Sequence, residues 1–227
     1  MNLVTCAQIR QILELGVGTV VVGGGFHRNL SALRELAAMK KEYPKFRIKM
    51  MANYDCKADC VFQSVHYMTG MLQQMLPGGS KLSYRRSNVP IKSRVEGLED
   101  GAGHTGKLCL HSYGPEDFIK IPFIRPEDLK FYRKHGYADC FKLIYRGTPS
   151  HILERIYDAY FSESFDGNLF DIIFTRYKNV DGIAGTGYCN NGTFPKDFIR
   201  RVTSCSKKCE KCGYCREVAV RTKCGRY

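Results

Sequence analysis

Short β-branched runs, each followed by an amphipathic segment, constrain this chain more than any other feature. Residues 19–22 read Thr-Val-Val-Val between Gly16, Gly18 and the Gly23-Gly24-Gly25 run. A brief apolar run fenced by glycine is the pattern of a strand buried in a parallel sheet. Asn29 is placed to cap the next element, and Leu30, Leu33, Leu36, Ala37 and the stretch 39–43 form an amphipathic helix that stops before Pro44. The pattern recurs. Residues 46–51 predict a second strand, with 53–56 at its C-terminal end. Residues 118–124 predict a third, with a helix over 126–135 that opens on Pro126. Residues 140–145 predict a fourth, followed by Arg146-Gly147 and a helix over 149–161.

Four consecutive βα units predict an α/β fold with a parallel sheet, whose ligands belong at the C-terminal ends of the strands. A closed (β/α)8 barrel takes eight strands and ~250 residues. Four units over 19–161 therefore predict an open sheet, a half barrel completed by a partner, or the C-terminal part of a longer protein. The triple glycine lacks the G-x-G-x-x-G spacing of a dinucleotide site and reads as a tight turn. The expected organisation is a partial barrel over 1–165 with a loop insertion at 77–107, a linker or helical segment over 166–199, and a basic, Cys-rich metal-binding tail over 200–227.

Composition matters chiefly through charge and cysteine. The 227 residues carry 35 Lys and Arg against 22 Asp and Glu, a net +13. Five of the positive charges lie in 81–94 with no acid, and nine in 200–227 against two acids. Such segments suit a polyanion, RNA included, although a solvated surface is the commoner meaning of a lysine-rich stretch. No run of eighteen apolar residues and no secretory leader is visible, so membrane insertion is not expected and a cytoplasmic location is. In a reducing compartment the 11 cysteines must be buried thiols, catalytic thiols or metal ligands.

Four of them form a knot. Cys205, Cys209, Cys212 and Cys215 follow C-x3-C-x2-C-x2-C, with Lys207, Lys208, Lys211 and Arg216 interspersed to favour thiolate. Thiolates at such short gaps can converge on one metal, and an all-sulfur donor set suits zinc or an iron–sulfur cluster. The C-x3-C-x2-C part also matches the triad of radical S-adenosylmethionine enzymes, but there it stands near the start of the domain rather than its end. A second group, Asn53-Tyr-Asp-Cys56…Cys60…His66, follows the second predicted strand, with Cys109 far downstream. Two cysteines four apart read equally well as packed thiols on one helix face. Arg125 and Arg146 follow successive predicted strand ends, so both guanidinium groups could face one anion, with Glu127 orienting one and Asn53 adding an amide. The alternative is a loop ion pair and helix cap. Ser64, Ser112 and Ser150 lack any nucleophile motif, and HExxH is absent.

The stretch from Ile48 through Asn53, Cys56, Cys60 and His66 resembles part of the collagenase-like peptidase family of unassigned catalytic type, which includes ubiquinone-biosynthesis accessory proteins and RNA-hydroxylation factors. Residues 119–129 and 141–147 are similar to that family's later barrel strands, and Phe26-His27-Arg28-Asn29 to a turn after an earlier one. The resemblance implies the second half of a TIM-like barrel over about 1–165 and a 4Fe-4S cluster held at strand ends. Cys56, Cys60 and Cys109 match such ligands by position, whereas Cys140, at the start of its strand, would lie on the opposite face. The family's Glu-x-Phe…Gly-x-Leu-Cys segment is not found. The expected function is an iron–sulfur component of oxygen-independent redox modification, a hydroxylation, of RNA or a small aromatic substrate. The alternatives are a non-catalytic zinc module contacting nucleic acid, and a peptidase.

Overall fold

The structure, a computed structural model, describes residues 5–57, 113–144, 149–175 and 187–226. All of these except Tyr113 belong to one compact unit assembled from residues 1–58 and 114–227, the intervening residues forming a second unit. Among the described residues the elements are, in chain order, α1 (Cys6–Glu14), β1 (Thr19–Val22), the single turn α2 (Gly24–His27), α3 (Leu30–Glu42), β2 (Arg47–Met51), α4 (Pro115–Lys120), a 3-10 turn (Pro126–Asp128) running into α5 (Leu129–Lys134), β3 (Cys140–Lys142), α6 (Ser150–Phe161), a 3-10 turn (Leu169–Asp171), β4 (Gly187–Tyr188), a 3-10 turn (Asn191–Thr193), α7 (Phe198–Thr203), the single turn α8 (Cys209–Cys212), α9 (Tyr214–Arg221) and β5 (Gly225–Arg226).

The fold is mixed α/β around a three-stranded parallel sheet in the order β1-β2-β3. Val20 and Val22 of β1 and Ile48 and Met50 of β2 are buried, as their apolar runs require, while the alternate residues face outward. The β2–β3 ladder is extended at both ends by side chains. Asp139, just before β3, accepts from the Ile48 N–H at 2.8 Å through its carboxylate. Asn53, just after β2, accepts from the Ile144 N–H at 2.7 Å and donates to the Ile144 carbonyl at 3.3 Å. An amide side chain thus takes the place of a peptide where the strands part.

One sequence expectation is corrected. Residues 118–124 do not form a strand. Gly114-Pro115-Glu116-Asp117 starts α4 instead, with proline in the first turn and the Asp117 carboxylate accepting from the Gly114 N–H at 3.0 Å. The remainder, 121–124, is buried but turns at Pro122, where the Phe123 N–H donates to the Ile121 carbonyl at 2.9 Å, and Pro122 itself has no N–H to give a ladder. The described sheet therefore has three strands where four parallel units were expected. Of the segment 166–199, expected as a linker or helical segment, the structure describes 166–175 and 187–199. Its Leu169, Phe170, Ile172, Ile173 and Phe174 are fully buried, and Phe170 and Phe174 meet Phe118 with ring centroids at 5.0 and 5.5 Å.

The C-terminal cysteine-bearing segment is likewise part of the body. Helix α9 packs along α4, and β5 pairs antiparallel with β4. No described helix is long and apolar enough to cross a membrane. The expected insertion at 77–107 lies outside the described residues.

Candidate metal centre

Helix α7 ends at Thr203 and delivers Cys205 into a loop whose next turn is set by Lys207 in the left-handed region, at φ 59°. That conformation brings the Lys207 backbone N–H to 3.3 Å from Cys205 Sγ, so the chain already offers this sulfur a donor. Helix α8 spaces Cys209 and Cys212 one turn apart. Gly213, at φ 66°, then reverses the chain into α9, whose first turn carries Cys215. Cys205, Cys209 and Cys212 are exposed, and Cys215 is half-buried.

Burial pushes the Cys215 thiol up, Cys205 and Cys209 add to that push, and Arg28 and Lys120 oppose it. The donor chemistry suits a metal that prefers sulfur. Among the described residues, however, no three Cys, His, Asp or Glu side chains are gathered as a finished ligand set.

The Arg28 guanidinium lies over the rings of Phe123 and Phe198, at 5.0 and 5.4 Å, and its Nη1 donates to the Ile119 carbonyl. Its Nε and Nη2 are sealed from solvent and have no hydrogen-bond partner among the described residues. Burial pulls its pKa down, and Tyr132, Cys215, Asp128 and Cys205 offset that pull. Arg28 is half-buried as a whole, and it is these two nitrogens that are closed off with their donors unspent.

The other expected site residues are placed as follows. Arg125 is 6% exposed, and its Nε and Nη2 form a two-pronged pair with Asp128, each at 2.9 Å. Its Nη1 reaches Asn191 Oδ1 at 3.5 Å, and its plane covers Phe194 at 4.5 Å. Glu127 turns elsewhere, accepting from the Phe165 N–H at 2.7 Å and from Asn191 Nδ2 at 2.8 Å. Asp128, rather than Glu127, is the carboxylate that orients Arg125, and the arrangement ties residues 125–128 to Phe165 and Asn191. Asn53 is spent on the sheet. Cys56 is half-buried in the loop after β2. Cys60, His66, Cys109 and Arg146 lie outside the described residues.

Sequence reasoning missed three features. His27 is fully buried beside Tyr54, and its Nδ1 lies 2.7 Å from the Pro122 carbonyl. A carbonyl only accepts, so Nδ1 carries the proton and Nε2, which has no partner among the described residues, is the bare nitrogen. Arg28 is the second, and only its position in a resembling turn marked it. The third is the Cys189 and Cys224 pair, brought together by β4 and β5 and fully buried. A hydrogen bond to Cys189, with burial, raises the Cys224 thiol far above its ordinary value, and Cys189 Sγ also lies 3.6 Å from Thr222 Oγ1.

No protein-family model matches the chain, and no solved structure does. A protein of Methanocaldococcus jannaschii named as an uncharacterized protease is 26% identical over 214 residues, which is 91% of this chain and 53% of that protein. The chain is a distant relative of that protein. It spans about half the length of the curated relative it matches.

Proposed function

We propose that Cys205, Cys209, Cys212 and Cys215 hold a 4Fe-4S cluster and that the protein is the iron–sulfur component of a redox modification. The observation that supports this reading is the short-gapped set of four cysteines. When bound, the cluster would supply one-electron transfer. The chain's part is to present four sulfurs from the loop 204–208, α8 and the first turn of α9. The Lys207 N–H offers a donor to sulfur. The collagenase-like resemblance supplies the reaction class, oxygen-independent hydroxylation of an RNA or small aromatic substrate. The basic residues of 200–227 suit the RNA member of that pair.

The test is anaerobic purification followed by iron and sulfide analysis and a visible spectrum. A brown protein with broad absorbance near ~400 nm that loses colour in Cys209→Ser and Cys212→Ser supports the reading. Colourless protein with zinc would replace the cluster by a structural zinc site. Colour that survives those two changes and disappears in Cys56→Ser would move the cluster to the strand ends, with Cys60 and Cys109 as its other candidate ligands.

A second reading, a peptidase, rests on the printed name of the distant relative. It requires that a protein with all four tail cysteines replaced by serine still hydrolyses denatured collagen or casein.

A further inference from the structure

Two thiols outside the candidate metal centre face each other across a pair of strands. Strands β4 and β5 pair antiparallel, with Gly187 opposite Arg226 and Tyr188 opposite Gly225. One step further along that register Cys189 stands opposite Cys224. Burial alternates as the pairing requires, since Tyr188 is 36% exposed whereas Cys189 and Cys224 are 0% and 2% exposed. Neither cysteine spends its backbone N–H on the other. The Cys189 N–H donates to Asn168 Oδ1 at 2.9 Å, and the Cys224 N–H donates to the Ala219 carbonyl at 2.8 Å. The Cys189 carbonyl accepts from the Leu169 N–H at 2.9 Å, and the Asn190 N–H donates to the Thr222 carbonyl at 2.8 Å. Each backbone is thus fixed by bonds outside the pair, and the two side chains are left facing each other.

That placement suits a bond between the sulfurs. Directly opposed residues of an antiparallel pair have Cα atoms roughly 4.5–5.5 Å apart, within the roughly 4.4–6.8 Å that a disulfide spans. Cys189 lies on the face that Gly187 turns to the Phe170 ring, and its Sγ is 3.6 Å from Thr222 Oγ1, close along the chain to Cys224. The same enclosure keeps the thiols quiet while the strands are closed. The hydrogen bond to Cys189 and burial push the Cys224 thiol far up, and only a thiolate attacks a disulfide. The β4–β5 ladder that covers the pair is very short, and a short ladder opens locally at little cost.

We propose that Cys189 and Cys224 are a dithiol site that closes to a disulfide by exchange with a low-molecular-weight disulfide. When the ladder opens, one cysteine attacks the small disulfide as thiolate, forms a mixed disulfide and expels one small thiolate. The second cysteine then attacks the protein sulfur of the mixed disulfide and expels the other. The protein loses two S–H bonds and gains one S–S bond, while the small disulfide takes up both electrons and both protons and leaves as two thiols. The new bond closes residues 189–224 into a loop that contains α7, α8 and α9 with Cys205, Cys209, Cys212 and Cys215. It therefore pins the cysteine-bearing end of the chain to the core, and it does so independently of the cluster reading above.

The experiment exposes the reduced full chain, purified anaerobically, to oxidised glutathione, quenches with acid, alkylates the free thiols after unfolding and maps the cysteine peptides by mass spectrometry. Melting temperature is read before and after exposure. The expected result is a linked peptide pair joining Cys189 to Cys224, lost on treatment with dithiothreitol, together with a rise in melting temperature of roughly 5–10 °C. The full chain with Cys205, Cys209, Cys212 and Cys215 all replaced by serine should give the same link and the same rise, which separates this pair from the exposed tail thiols. Cys189→Ala in that background should show no rise. Recovery of Cys189 and Cys224 as free thiols after exposure, or their linkage to glutathione or to other cysteines in place of each other, would overturn the proposal. A linked chain that melts below the reduced one would overturn it as well, because the bond would then belong to a distorted fold.

Discussion

His27 shows how much a single residue in this fold depends on what surrounds it. Burial, opposed only by the Pro122 carbonyl, pulls its pKa from 6.5 to about 4. The unfolded chain therefore takes up a proton between those values that the folded chain refuses. Stability is complete above 6.5, falls as the pH drops through the window, and has lost roughly 3 kcal/mol from this group at its acid end, at about 1.4 kcal/mol per pKa unit. The Asp117 and Asp139 carboxyls act lower. Burial raises each, but Lys57 and the Gly114 N–H for one, and Lys40 and the Ile48 N–H for the other, outweigh it and hold both below 3.8. Their contribution is lost only as the pH falls through those depressed values. Urea melts at pH 7 and pH 4.5 should separate by the His27 amount in wild type and nearly coincide in His27→Gln, and an unchanged separation in the variant would refute the assignment. Arg125 makes a second prediction at this scale. Removing its partner in Asp128→Ala leaves a guanidinium 6% exposed without its carboxylate, which should cost about 3–5 kcal/mol in a chemical melt. A cost under about 1 kcal/mol would mean that the pair is dispensable.

Among the elements, those with local signals were legible and those fixed by tertiary contacts were not. Strands β1 and β2 follow from β-branched and apolar runs between breakers. Helix α3 begins where Asn29 accepts from the Ala32 N–H at 3.1 Å, as its position before the apolar stripe implied. The turn at Pro126–Asp128 likewise opens on its proline. Residues 118–124 misled because Phe118, Ile119, Ile121, Phe123 and Ile124 are all buried, so their hydrophobicity carries no period that separates strand from helix. The decisive signal was upstream, in Gly114-Pro115 and Asp117. Helix α1 also had a readable start, the Thr5 and Gln8 capping box. In the candidate site the cysteine spacing was plain, whereas Arg28 drew notice only within a resembling turn, since nothing local distinguishes a buried guanidinium from a surface one. Gly213 joins the two cysteine-bearing turns. A methyl group there meets no atom within 4 Å, so any cost of Gly213→Ala comes from its φ of 66°. That conformation should cost about 1–2 kcal/mol in thermal melts. Gly187→Ala should be worse, because a Cβ would fall 2.0 Å from the Phe170 ring in the core. Equal melting temperatures for Gly187→Ala and wild type would contradict that packing.

For the whole molecule, the described sheet, the aromatic core and the cysteine-bearing end are one body. Helix α9 rests on α4, β5 closes on β4, and residues 166–175 fill the space between. The metal centre proposed here would therefore be built against the α/β core, and it should stabilise the entire unit on binding. The distant relative is about twice as long and is named as a protease, so the substrate and the complete reaction remain proposals for this chain, while its metal content can be measured directly. The deciding measurement is iron and acid-labile sulfide per chain, with the visible spectrum, in anaerobically purified wild type and Cys212→Ser. The account predicts brown wild-type protein with matched iron and sulfide and a variant depleted of both. Colourless wild-type protein, or a variant that keeps the full iron content, would contradict it.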